Sequence, residues 1–277
     1  MTMRNQVFIT IDSLRWDTFE AAQLPFLRSL GDWKKAFTQA TYTFPAHMSF
    51  FVGKLPQTND NTEFYDTVAG RCDASGRMQR NRQFYRLDNP EAPRAALQSL
   101  DGSNIIEGFR RRGYTTVGTG AVSWFNPALA AGRYLTESFE HYRFFDGPHN
   151  ASHASARRQV DWVQETLSRV SAPWFLFINF GETHHKFVYE GCPWFDAPGQ
   201  YGNATECKRR QRACLEYLDG QFARLLSPLT DYDLVICGDH GEVLGEDGLW
   251  GHGFHHPKIM EVPMLIRLAD EPVRVCA

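Results

Sequence analysis

Apolar residues fall along this chain in two alternating patterns. Short runs rich in β-branched and aromatic side chains occur at Val7 to Ile11, Tyr114 to Val122, Trp174 to Phe180, Leu234 to Cys237 and Val262 to Ile266. Runs of that length and composition read as strands. Between them apolar positions recur at helical spacing. Val160, Val163, Leu167 and Val170 mark a helix within Ala154 to Val170, and Leu215, Leu218, Phe222 and Leu225 mark another within Glu206 to Leu226. A third, Ile105 to Arg112, ends in basic residues followed by Gly113, a helix stop. Pro173 and Pro228 separate helix from strand. Helices alternating with continuous apolar strands predict an α/β fold, a three-layer αβα sandwich with a mostly parallel central sheet and right-handed crossovers.

The run from about Gln57 to Asn89 breaks this rhythm, being polar, rich in Arg, Asn and Asp, and without periodicity. It reads as a long surface excursion of the kind that is usually functional or mobile. The remaining pattern is continuous enough to expect one domain over residues 1–277, since large sheets routinely use that length.

Composition narrows the class. Hydrophobic residues make up 43% and charged residues 22% of the chain, which is ordinary globular usage and excludes a disordered polymer. The formal net charge of −3 offers no long-range attraction for nucleic acid, so an anionic ligand must be drawn by a local cation or metal. No apolar run approaches a membrane span, and the opening MTMRNQVFITID is not a signal peptide. A cytoplasmic protein without membrane association is therefore expected. Six cysteines lack Cys-x-x-Cys spacing and read as reduced thiols; Cys207 and Cys214, two turns apart on a predicted helix, are the pair worth inspecting.

In an open parallel sheet, ligands bind beyond the carboxyl ends of the strands. Asp12 ends the first predicted strand, and Asp239 and His240 follow the fourth. Two carboxylates and an imidazole converging there suit a divalent cation, with oxygen ligands favouring Mg, Mn or Ca and imidazole extending the choice to Mn and Zn. Each aspartate alone reads more readily as a turn or cap residue. In TYTFPAHMSFFVGKLP, Pro45 belongs to the first turn of a helix that runs toward Gly53, placing the Thr43 hydroxyl near the helix N-terminus. There it is either a simple N-cap or a nucleophile that benefits from unpaired backbone N–H groups.

Four motifs, in order, give the chain a family resemblance. TFPAH, residues 43–47, resembles the Thr-Phe-Pro-Asn-His nucleophile motif of nucleotide pyrophosphatase/phosphodiesterases, and its spacing to Gly53-Lys54 is that of the sulfatase signature Cys-x-Pro-Ser-Arg with its later Thr-Gly-Arg. VFITIDSLRWD resembles the first-strand motif of sulfatases and of phosphoglycerol and phosphoethanolamine transferases. LVICGDHGEVLGEDGLWGHG resembles their Asp-His-Gly motif with its downstream Gly-His-Gly, and FLFINFGETHHKF the strand that ends in a substrate-contacting His. The chain thus resembles the alkaline phosphatase superfamily from Val7 to Ile266.

The resemblance implies roles. Asp12, Thr43, Asp239 and His240 bind a divalent metal, Mn or Zn by preference and Mg or Ca as alternatives; Thr43 is the nucleophile; Lys54 supports it or a phosphoryl oxygen; His184 and His252 meet the transferred group. One metal site is expected, with an irregular second one open to Glu182, His184, His185 and His252. His255 and His256 sit where they extend the pocket. The substrate class implied is a small anionic ester.

Departures from the pattern also inform. Threonine cannot yield the formylglycine of ordinary sulfatases, and His47 stands where the signature has Arg, so phosphate or phosphonate esters are expected over sulfate esters. A transferase and a silent metal-binding scaffold are the rival readings. The extra C-terminal subdomain of full-length sulfatases has no counterpart in these residues, so an open site, or one completed by a partner or oligomer, is expected.

Overall fold

A computed structural model describes residues 3–53, 103–145, 154–197 and 202–269. Strand β1 (Asn5–Ile11) is followed by two short helices, α1 (Trp16–Ala21) and α2 (Pro25–Ser29), then strand β2 (Lys34–Phe37) and helix α3 (Thr43–Val52). Next come α4 (Ile105–Arg111), β3 (Thr115–Gly120), α5 (Ala130–Thr136) and β4 (His141–Phe144). The chain continues through α6 (Ala156–Leu167), β5 (Trp174–Phe180), α7 (Ala204–Leu226) and β6 (Tyr232–Gly238). A small hairpin, β7 (Val243–Leu244) with β8 (Trp250–Gly251), leads to α8 (Pro257–Met260) and β9 (Glu261–Arg267).

Among the described residues seven strands form one sheet in the order β2-β9-β6-β1-β5-β3-β4. The run from β6 to β4 is parallel, while at one edge β9 pairs antiparallel with β6 and β2 pairs antiparallel with β9. Every residue of β5 is buried, which is what its continuous apolar sequence requires of a strand covered on both faces.

The twofold alternation of strand side chains divides the core into two layers. Val7, Ile9 and Ile11 of β1 join Leu176, Ile178 and Phe180 of β5 under α1, α2, α6 and α7. On the opposite face Phe175 and Phe177 pack with Phe44, Met48 and Phe51 of α3, and with Ile106, Phe125 and Leu135. The architecture is therefore the expected three-layer α/β sandwich.

Helix α7, 23 residues or about 34 Å long, starts at Asn203, whose side chain accepts from the Glu206 N–H at 3.0 Å. Cys207 and Cys214 lie buried on this helix and form no disulfide.

Two short exposed edge strands, β2 and β4, have no counterpart in the sequence reading, because their mixed burial leaves no apolar alternation. No helix among the described residues is long and apolar enough to cross a membrane. The expected excursion at 57–89 lies outside the described residues, as does Lys54.

Candidate active site and metal centre

Strand β1 sits between β5 and β6, so the chain passes from one side of it to the other, and the crevice at such a switch point is where this sheet type binds ligands. Asp12 follows β1, Asp239 and His240 follow β6, and the turn 181–184 follows β5. Asp12, Asp239 and His240 are each fully buried, and one ligand atom from each lies within 4.8 Å of the others.

Backbone geometry aims these groups. Ser13 takes a left-handed conformation, φ +57°, which turns its N–H onto Asp239 Oδ1 at 3.0 Å. A non-glycine residue adopts that region only where its surroundings over-determine it. Asp239 Oδ1 also accepts from the His240 N–H at 2.8 Å. Gly241 is required for the turn, because a Cβ there would lie 2.0 Å from the Lys258 carbonyl oxygen. Gln211 of α7 donates to the carbonyls of Ser13 and Thr183, and the Thr183 hydroxyl donates to the Asp12 carbonyl at 2.6 Å. The loops after β1 and β5 are thus fastened to each other.

Thr43 is the first residue of α3, with Tyr42 as its N-cap, so its hydroxyl is not spent on capping. Thr43 Oγ1 donates to Asp12 Oδ2 at 3.1 Å and lies 3.3 Å from His240 Nε2. His240 Nδ1 lies 2.8 Å from the Gly241 carbonyl oxygen, an acceptor that fixes the proton on Nδ1 and leaves the Nε2 lone pair facing Thr43 and the carboxylates. Burial, reinforced by neighbouring His252, holds the His240 pKa down to about 3, so the ring is neutral.

Burial, then the charge of Asp12, pushes the Asp239 carboxyl well above its ordinary range. Its Oδ2 is buried without a hydrogen-bond partner. Two crowded carboxylates, an orphaned oxygen and an imidazole lone pair form a donor set that fits a divalent cation, which would relieve the repulsion and satisfy the open lone pairs.

The family profile described as Sulfatase matches residues 4–274 of the 277. The chain belongs to the sulfatase family. Human iduronate 2-sulfatase is 22% identical over 84% of this sulfatase-family chain and 52% of its own length, so the chain spans about half of that relative. Among solved structures, the C-terminal periplasmic domain of phosphoethanolamine transferase EptC from Campylobacter jejuni superposes with a TM-score of 0.64 at 10% identity, covering 97% of this chain and 81% of the other. The corresponding Escherichia coli domain, in complex with zinc, gives 0.63 at 13% identity over 96% and 73%. Phosphonate monoester hydrolase of Agrobacterium radiobacter gives 0.60 at 13% identity over 96% and 68%. At these identities the structural likenesses establish the fold, and they agree with the superfamily that the motifs resemble.

The sulfatase-family site also gathers residues at its rim. The His252 ring lies 4.5 Å from that of His240 and 5.4 Å from that of His184, centroid to centroid. Both expected histidines therefore reach the site edge. Among the described residues the irregular second metal site that the sequence left open does not assemble. Glu182 turns away to the N-terminus of α6, where its Oε1 accepts from the Ser155 and Ala156 N–H groups at 2.9 and 2.7 Å. Its carboxyl is a helix cap, and burial raises its pKa to about 8. His256 likewise caps α8, with Nδ1 accepting from the Lys258 N–H at 3.0 Å, so it does not extend the pocket.

The sequence assigned no role to three residues of the site. His47 Nδ1 donates to the Thr43 carbonyl at 2.7 Å, and its Nε2 lies 2.9 Å from the Thr10 hydroxyl, which in turn accepts from Asn179. The ring is fully buried among Phe50, Phe51, Phe125 and Phe177, and burial holds its pKa near 3. It braces the first turn of α3 from beneath. Arg15, 1% exposed, donates to Asp17, to Glu246 and to the Glu242 carbonyl, clamping the loop after β6. Glu242, fully buried beside His252, is the third; an acidic residue two places after the Asp-His pair was its only signal.

Proposed function

We propose that this sulfatase-family chain is a metal-dependent hydrolase of phosphate or phosphonate esters that works through a covalent Thr43 intermediate. The observation that supports this most directly is the Thr43 hydroxyl at the N-terminus of α3, 3.1 Å from Asp12 and 3.3 Å from His240, inside the cluster able to hold a cation. Its place at a helix N-terminus supplies unpaired backbone N–H groups and a partial positive charge nearby, which favour an alkoxide and a tetrahedral anion. Asp12, Asp239 and His240 would hold the ion, with Mn or Zn preferred for the mixed carboxylate and imidazole set. The ion supplies positive charge against the nucleophile and the anionic substrate.

Thr43 Oγ1 gives up its proton along the hydrogen bond to Asp12, from which it passes to solvent, and attacks phosphorus in line. The bond from phosphorus to the leaving oxygen breaks, and that oxygen takes a proton from His184 or His252 at the site edge. Water then cleaves the Thr43 ester, which restores the hydroxyl and releases the acid. A transferase of the same chemistry would pass the group to an acceptor hydroxyl instead of water.

The test is turnover of p-nitrophenyl phosphate, its diester, a phenylphosphonate monoester and a sulfate ester with added Mn, Zn, Mg or Ca. A phosphorus ester should be preferred. Thr43→Ala should lose about three orders of magnitude or more in kcat with metal still bound, and Thr43→Ser should lose less because a hydroxyl remains. Mass spectrometry of quenched turnover should find the added mass on the peptide containing Thr43. Near-full activity in Thr43→Ala would overturn the mechanism.

A further inference from the structure

We propose that Glu242 is a positioning residue that accepts a hydrogen bond from the Nδ1–H of His252 and thereby presents His252 Nε2 to the transferred group. His252 Nδ1 lies 3.2 Å from Glu242 Oε1, a charge contact whose angle does not close a hydrogen bond, and this buried nitrogen has no other hydrogen-bond partner among the described residues. The carboxylate is fully buried, whereas the imidazole keeps 11% exposure and so opens toward the crevice on its other side.

Both ends of this pair are anchored. The Glu242 backbone is held where Arg15 Nη1 donates to its carbonyl at 3.2 Å, and Arg15 is itself fixed by two bonds to Asp17 and one of 2.8 Å to Glu246. His252 sits between Gly251 and Gly253, both at positive φ, and the Gly253 N–H donates to the Thr41 carbonyl at 2.9 Å. That bond ties the His252 turn to the segment that carries Thr43. A buried carboxylate is costly unless a donor meets it, and a small turn of the ring that brings the Nδ1–H onto Oε1 serves both partners. A carboxylate on one ring nitrogen decides which tautomer the imidazole adopts and where its other nitrogen points.

The activity arm of the test rests on the ester-hydrolase reading; the spectroscopic arm does not. Glu242→Met keeps the shape and removes the acceptor, whereas Glu242→Gln keeps an acceptor oxygen and loses the charge. Glu242→Met should lower kcat by about 10–100-fold with KM and metal content unchanged, and Glu242→Gln should recover part of the loss. In a His252→Ala background Glu242→Met should cost nothing further. Equal losses in both variants, or additive losses with His252→Ala, would overturn the proposal.

Long-range 1H–15N correlation spectra of His252, metal-free and metal-loaded, read the tautomer without any substrate. Wild type should carry the proton on Nδ1, and Glu242→Met should shift toward the Nε2–H form. An Nε2–H ring in the wild-type protein would overturn the assignment even if neither variant folds. Should wild type turn over no ester, the reading of the reaction fails while the spectra still decide the role of Glu242.

Discussion

A threonine hydroxyl is a poor nucleophile, and what distinguishes Thr43 is how firmly its surroundings hold it. The support beneath it is His47, which links the Thr43 carbonyl to Thr10 and Asn179 through buried hydrogen bonds. His47→Phe fills a similar volume among the four surrounding phenylalanines but cannot donate to the carbonyl or accept from Thr10. Removing one partner of a buried hydrogen bond costs about 1–3 kcal/mol. Loosening the nucleophile should also lower kcat by about tenfold or more, since small displacements are expensive in a positioned site. Thermal melts and kcat on the best ester check both effects; an unchanged kcat would show that the first turn of α3 holds Thr43 without this brace.

At the scale of elements, Glu182 links the end of β5 to the start of α6. Burial pushes its carboxyl up to about 8, although the N–H groups of Ala156 and Ser155 work against the shift. The sign follows from linkage: a carboxyl whose folded pKa exceeds its unfolded value near 4.5 favours folding in its protonated form. Its contribution is complete below about 4.5 and is lost as pH rises through about 8. Wild-type stability should therefore fall relative to Glu182→Gln between those limits, as denaturant melts across that range will show. A constant difference between the two proteins would mean that the helix N-terminus keeps the carboxylate ionised.

For the whole molecule, the candidate cation cluster brings Asp12 after β1 together with Asp239 and His240 after β6, with Thr43 of α3 against them. A ligand bound only by the folded chain stabilises it by mass action, about 2.7 kcal/mol at a hundredfold excess over Kd. Chelation should lower the Tm by several degrees, and Asp239→Ala should reduce metal content and abolish that sensitivity. Elemental analysis and melts with and without chelator check this; identical melts after verified metal removal would count against the centre. At the sheet margin β2 is short and carries Lys34 and Lys35 exposed, a charged edge that discourages pairing with another strand.

The chain alone determined the alternation of apolar strands with amphipathic helices, and with it the layered sheet, because buried strands and helical faces are local, periodic properties of sequence. It also determined the residue types Asp12, Thr43, Asp239 and His240 at strand ends and a helix start, since motif spacing survives without coordinates. The antiparallel direction of β9 was decided only in three dimensions, because an apolar run specifies a strand but not which way it enters the sheet. So was the division of labour among the acids. Glu182 stands two residues from His184 yet caps a helix, while Glu242 faces His252 at the open end of the β7–β8 hairpin. Which side chains face one another depends on how distant segments pack, and for isolated charged residues no local pattern encodes that packing.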